Sequence, residues 1–150
     1  MTTANLNKRL TVRALALGGA LAILGACSSM STMMDKDTQS VALSGANEVP
    51  AVTTTASGTA VVTIKDDRSV VVKVTAKDMT ATASHIHEGA AGANGPVIVP
   101  FTKTGDNMFE SAAGAKLTDA QYASFKAGNL YVNVHSAKNP GGEIRGQIKP

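Results

Sequence analysis

The chain contains one cysteine, no tryptophan and three histidines in 150 residues, and it has no long hydrophobic run. A single cysteine excludes an intrachain disulfide, so stability has to come from an apolar core, with a bound metal as a further contributor. The apolar run from Ala14 to Leu24 has eleven residues, far short of the roughly 20 that a membrane-spanning helix needs. No basic stripe of the kind that binds nucleic acid is present. Ser44-Gly45 and Ser57-Gly58 lack a discernible His–Asp partner, and no phosphate-cradling glycine loop precedes a helix. Catalytic residues are therefore assigned to none of these positions.

What is present begins at the N-terminus. Lys8, Arg9 and Arg13 form a positive region ahead of the short apolar run, the pattern of a secretory signal. Leu24-Gly25-Ala26-Cys27 resembles the lipobox read by lipoprotein signal peptidase. Small residues at 25 and 26 suit a narrow protease site, and the Cys27 thiol would accept diacylglycerol. The expectation is a signal peptide over 1–26 and a lipid anchor at Cys27. That anchor would hold the protein to the cell envelope, at the outer membrane facing the periplasm in a Gram-negative host. Three of the 14 Lys and Arg residues lie in that segment, so eleven remain against eleven Asp and Glu. The remaining 124 residues then carry no net formal charge, and the basic balance belongs to the leader.

Residues 27–39 are Ser/Thr-rich and aperiodic, which reads as a flexible tether. Met30, Met33 and Met34 lie within it; thioethers suit Cu(I), though methionines in a tether are ordinarily incidental. Residues 40–150 read as one β-domain. Between 57 and 64, Ala60, Val62 and Ile64 share one face, and between 69 and 76, Val70, Val72, Val74 and Ala76 do the same. Lys65-Asp66-Asp67-Arg68 is the polar turn between them. Further strands are expected near 83–88, 97–102, 107–111, 129–135 and 143–148. One helix interrupts them: Thr118 and Gln121 fit a capping box, Leu117 and Tyr122 a hydrophobic staple, and Gly128 a terminator. Many short strands with one short helix predict an all-β, antiparallel Greek-key sandwich or barrel, immunoglobulin-like or superoxide-dismutase-like.

The histidines carry the chemistry. His85 and His87 flank Ile86, and on a strand residues two apart point to the same face about 7 Å apart. Imidazole nitrogens so placed can converge on one ion at about 2 Å each. His135 ends a strand whose core set is Leu130, Val132 and Val134, and it shares the opposite face with Tyr131 and Asn133. All three histidines thus point away from the core, as for a metal site on the outer wall of a barrel. Imidazole ligation suits copper or zinc better than magnesium or calcium. The plainer reading is a solvated His-x-His pair that His135 never meets. Glu143 and Arg145 share a face with Gln147 and are candidates to support the ligands, since a carboxylate can bond an imidazole N–H and fix its tautomer. The alternative is a Glu143–Arg145 surface pair worth at most about 1 kcal/mol. Glu88 points to the other face on a regular strand, and Gly146 within a strand marks a bulge or a close backbone approach.

Three motifs resemble those of the CHRD domain, first described as a repeat in the developmental protein chordin. They are Leu43-Ser44-Gly45-Ala46-Asn47-Glu48-Val49-Pro50, then Ser84-His85-Ile86-His87-Glu88-Gly89 with Gly95-Pro96-Val97, then Gly128 to Ser136 with Asn139 to Ile148. The resemblance covers about residues 41–149 and implies an all-β domain without a generally established activity in bacterial members. A more distant resemblance is to copper-zinc superoxide dismutase, which also pairs a His-x-His strand with a third copper-binding histidine ending another. By it, His85, His87 and His135 correspond to copper ligands, and Arg145 lies near the position of a substrate-guiding arginine. A bridging histidine, a zinc-ligand set and a disulfide are lacking. The functional expectation is copper binding, zinc being the alternative ion, for storage, buffering or delivery at the envelope. A structural or protein-interaction lipoprotein with an unidentified partner is the second reading, and a copper-dependent redox enzyme the third.

Overall fold

The structure is a computed structural model and describes Met1 and residues 37–150. The expected signal peptide, Cys27 and the methionines at 30, 33 and 34 lie outside the described residues. Among the described residues there are eight strands: β1 Thr38–Ser44, β2 Ser57–Ile64, β3 Val70–Lys77, β4 Ala81–Glu88, β5 Val97–Gly105, β6 Met108–Ser111, β7 Leu130–Ser136 and β8 Ile144–Ile148. One helix, α1 Asp119–Lys126, precedes β7, and a 3-10 turn Gly45–Asn47 follows β1. The strands close into an antiparallel barrel in the order β1-β2-β3-β6-β5-β4-β7-β8. The all-β barrel with one short helix is as expected, and of the two architectures offered, sandwich or barrel, it is the closed one. The first strand begins at Thr38, two residues before the expected domain boundary. Thr38 bonds Thr63 through the two hydroxyls, and Gln39 exchanges bonds with the Lys149 backbone, which draws the end of the anticipated tether into the sheet.

Alternation explains the core. Val70, Val72, Val74 and Ala76 on β3 are buried while Val71, Lys73 and Thr75 are exposed, and Ala60, Val62 and Ile64 on β2 face the same interior. The β2–β3 turn closes with a bond from Arg68 N to Lys65 O, and Arg68 takes a left-handed φ of 68°. Thr118 and Gln121 form the expected reciprocal cap at the start of α1, and Gly128 beyond its end has φ 74°. Phe125 of α1 joins the core with Tyr122 packed against it. Glu88 points toward this helix, accepting from the Ser124 hydroxyl. Gly146 marks a close approach, because a Cβ there would lie 2.5 Å from the Ala42 carbonyl oxygen.

The feature that positions the site is the adjacency of β4, β7 and β8. His85 lies opposite Asn133, His87 opposite Tyr131, and Ala83 opposite His135; Asn133 in turn lies opposite Arg145. Every residue of β7 is buried, so its outward face is covered as completely as its core face. The anticipated outer wall is roofed by the segments 89–95 and 137–142.

Candidate metal centre

Strand β4 presents His85 and His87 to the outward side, and its pairing with β5 slips between Ile86 and His87. Strand β7 brings His135 to the same place. One ring nitrogen from each of the three lies within 4.8 Å of the others, and His85 Nδ1 sits 3.0 Å from His135 Nε2. Two nitrogens bound to one tetrahedral ion at about 2.0–2.1 Å stand roughly 3.3 Å apart. The His85–His135 pair, at 3.0 Å, is close to that spacing, and the widest separation among the three is no more than 4.8 Å.

Backbone carbonyls set the tautomers. His87 Nδ1 is 2.9 Å from Gly95 O, and His135 Nδ1 is 2.9 Å from Pro140 O. A carbonyl oxygen only accepts, so each Nδ1 carries the proton and donates it. In the neutral ring, Nε2 of both residues therefore carries the lone pair, as ligation requires. His87 Nε2 is buried with no hydrogen-bond partner. Burial, with the other two imidazoles adding to it, pushes His85 down to about 4. Burial also lowers His87 and His135, against the pull of their carbonyl bonds. At neutral pH all three rings are uncharged, the state that ligation requires. The donor set fits a copper or zinc ion.

The family model of the CHRD domain matches residues 39–148. The chain belongs to the CHRD domain family. No curated protein and no solved structure was found to match it.

Around the histidines of this CHRD domain, the two expected supporting residues act at one remove. Glu143 does not reach an imidazole, because both donating Nδ1 groups are taken by carbonyls. Its carboxylate accepts from Thr54 at 2.7 Å, and bonds from Ser136, then Thr54 and Asn139, hold it below the usual carboxylate range against the opposing effect of burial. It therefore braces the 136–139 segment that leads to Pro140. Nor is there a Glu143–Arg145 surface pair: Arg145 is only 1% exposed. Its Nη2 donates to Ala90 O and Ala93 O, both at 3.0 Å, and its Nη1 to Asn94 Oδ1 at 3.4 Å. The guanidinium lies 3.4 Å over the Tyr131 ring. That ring stacks on His87 at 4.9 Å with 9° between planes, while its hydroxyl accepts from Gly95 N. Arg145 thus organises the 89–95 segment whose last carbonyl orients His87.

Three residues of the site were not singled out from sequence: Tyr131, Asn133 and Glu48. The first two carried a signal, because alternation along β7 puts them on the face of His135. Glu48 had none beyond its place in the opening motif. It is buried beside Gly142, and burial raises it to about 7 against the pull of the Arg145 charge.

Proposed function

We propose that this protein is an envelope lipoprotein whose CHRD domain binds one copper-type ion through His85 Nδ1, His87 Nε2 and His135 Nε2. Zinc would be the weaker competitor, as the Irving–Williams order expects. The observation that carries the reading is the pair of carbonyls, Gly95 O and Pro140 O, that force the lone pairs of His87 and His135 onto Nε2, beside His85 Nδ1. A plain surface pair of histidines needs no such preset tautomers. Bound there, the ion would be held, buffered or passed on at the cell envelope, with Cys27 as the lipid attachment that keeps the domain at the membrane.

The test is metal analysis of the full-length protein purified without chelators or a histidine tag, followed by copper titration of the parent and of His135→Ala. About one copper per chain is expected in the parent, and His135→Ala should lose most of the affinity. A variant that binds copper as tightly as the parent removes the three-histidine site. A second reading rests on the 3.0 Å His85–His135 contact, which is also an ordinary hydrogen bond in a metal-free domain. In that case the domain is a structural or interaction module, and His135→Ala should lower stability with no copper effect to lose.

A further inference from the structure

Beside the histidine group stands a buried side chain that imidazole chemistry does not account for. Asn133 faces His85 directly across the β4–β7 ladder, precedes His135 by two residues on the same face, and stands diagonal to His87. It is 1% exposed. Its Oδ1 is buried and has no hydrogen-bond donor, and neither does the neighbouring His87 Nε2. The carboxamide is within hydrogen-bonding reach of the His87 ring and favours its charged form against the effect of burial, so in the neutral ring, with the Nδ1 proton held by Gly95, two acceptors meet with no proton between them. Two buried acceptors left unpaired side by side are costly, and native proteins keep few such groups without a use for them.

The amide's orientation follows from its other side. A Cβ built on Gly142 would lie 2.8 Å from Asn133 Nδ2 and 2.5 Å from Glu48 Oε1, so the NH₂ group is on the side of a carboxylate. Turning the amide over would set its oxygen toward that carboxylate, a repulsive contact whenever Glu48 is ionised, as it is above about pH 7. With the nitrogen so placed, Oδ1 is left for the histidines. Nitrogens of the three histidines lie within 4.8 Å of one another, and Asn133 Oδ1 adjoins this group on the side of His87. Another hydrogen-bond acceptor would not relieve them. A cation would.

We propose that Asn133 Oδ1 is a fourth protein donor of this site, a hard oxygen that favours a divalent ion, Cu(II) or Zn(II), over Cu(I). The inference rests on the metal-binding reading above and adds a preference of oxidation state to it. It also accounts for a polar residue at a fully buried position: an acceptor that is unpaired in the metal-free domain gains its partner when the ion binds.

The experiment compares full-length parent, Asn133→Leu and Asn133→Asp. Three quantities are measured: Cu(II) affinity by titration, with the electron paramagnetic resonance spectrum of the bound ion; Cu(I) affinity by competition with a chromophoric chelator; and urea stability of the metal-free protein. Asn133→Leu should lower Cu(II) affinity by about tenfold, change the Cu(II) spectrum, leave Cu(I) affinity within about twofold, and leave metal-free stability equal or higher. Asn133→Asp keeps an oxygen donor and loses the amide nitrogen, so it should hold or tighten Cu(II); this variant answers the question should Asn133→Leu fail to fold. An unchanged Cu(II) spectrum and affinity in Asn133→Leu overturns the proposal and leaves the three-histidine site standing. So does parallel loss of Cu(I), Cu(II) and stability in both variants, which marks a structural asparagine. A parent that binds neither copper nor zinc overturns this proposal and the reading beneath it together.

Discussion

A neutral imidazole has one lone pair, and here the partner of the opposite nitrogen decides where it points. Gly95 O and Pro140 O make that choice for His87 and His135, leaving His85 as the ring whose proton must move to Nε2 before Nδ1 can ligate. The same burial has a consequence for pH. His85 is held near 4, below its ordinary 6.5, so the unfolded chain takes up protons that the folded one refuses. Its contribution is present above about 6.5 and is lost as pH falls toward 4. Copper binding should accordingly persist below pH 6.5, where free imidazole already protonates, and a copper titration at pH 5.5 checks this. Glu48 has the opposite sign. Raised to about 7 from an ordinary 4.5, its contribution is present below 4.5 and is lost as pH rises through 7. Glu48→Gln should be more stable than the parent at pH 8, with the advantage shrinking as pH falls to 4.5. Urea denaturation at the two pH values measures it; a parent more stable at pH 8 would show that Arg145 fully compensates the buried carboxylate.

At the scale of the element, β3 is a strict test of register. Val72 is 1% exposed and its neighbour Val71 is 54% exposed. Val72→Asp places an unpaired carboxylate in the core and should cost roughly 3–5 kcal/mol, whereas Val71→Asp should stay within about 0.5 kcal/mol of the parent. Equal losses in thermal unfolding would contradict the observed pairing. Helix α1 is decided by its start: Thr118 accepts from Gln121 N while the Gln121 side chain accepts from Thr118 N. Thr118→Ala should cost about 1 kcal/mol, felt through Phe125, the helix residue buried in the core.

For the whole molecule, the barrel holds together through its apolar interior, and an ion bound as proposed would add to it by mass action. Free copper at 100 times the dissociation constant should raise stability by about 2.7 kcal/mol, seen as a concentration-dependent rise in melting temperature that His135→Ala abolishes. Attachment to the envelope is tested separately. Cys27→Ser should abolish labelling by a fatty-acid analogue in cells, and labelling that persists in the variant refutes the anchor at that residue.

Period-two alternation and capping chemistry are local properties, and they were enough to assign the β3 core set, the helix cap and the shared face of His85 and His87 from residues alone. The reach of that reading ended where non-local contacts begin. That β4 pairs with β7, bringing His135 to the other two histidines, depends on the barrel's strand order, which no local pattern encodes. The covering of the outward face was also out of reach. Tyr131, Asn133 and Arg145 look solvent-facing by alternation, yet they are 2%, 1% and 1% exposed, because loop backbone and neighbouring side chains are laid over them. Polar side chains remain there since carbonyls such as Ala90 O and Ala93 O need donors, and a buried polar group has to be paired. The sequence by itself determined which residues face outward together. Only the tertiary structure decided that they are buried, which tautomers they adopt and that Asn133 stands among them, because burial and hydrogen-bond partners come from chain segments distant in sequence.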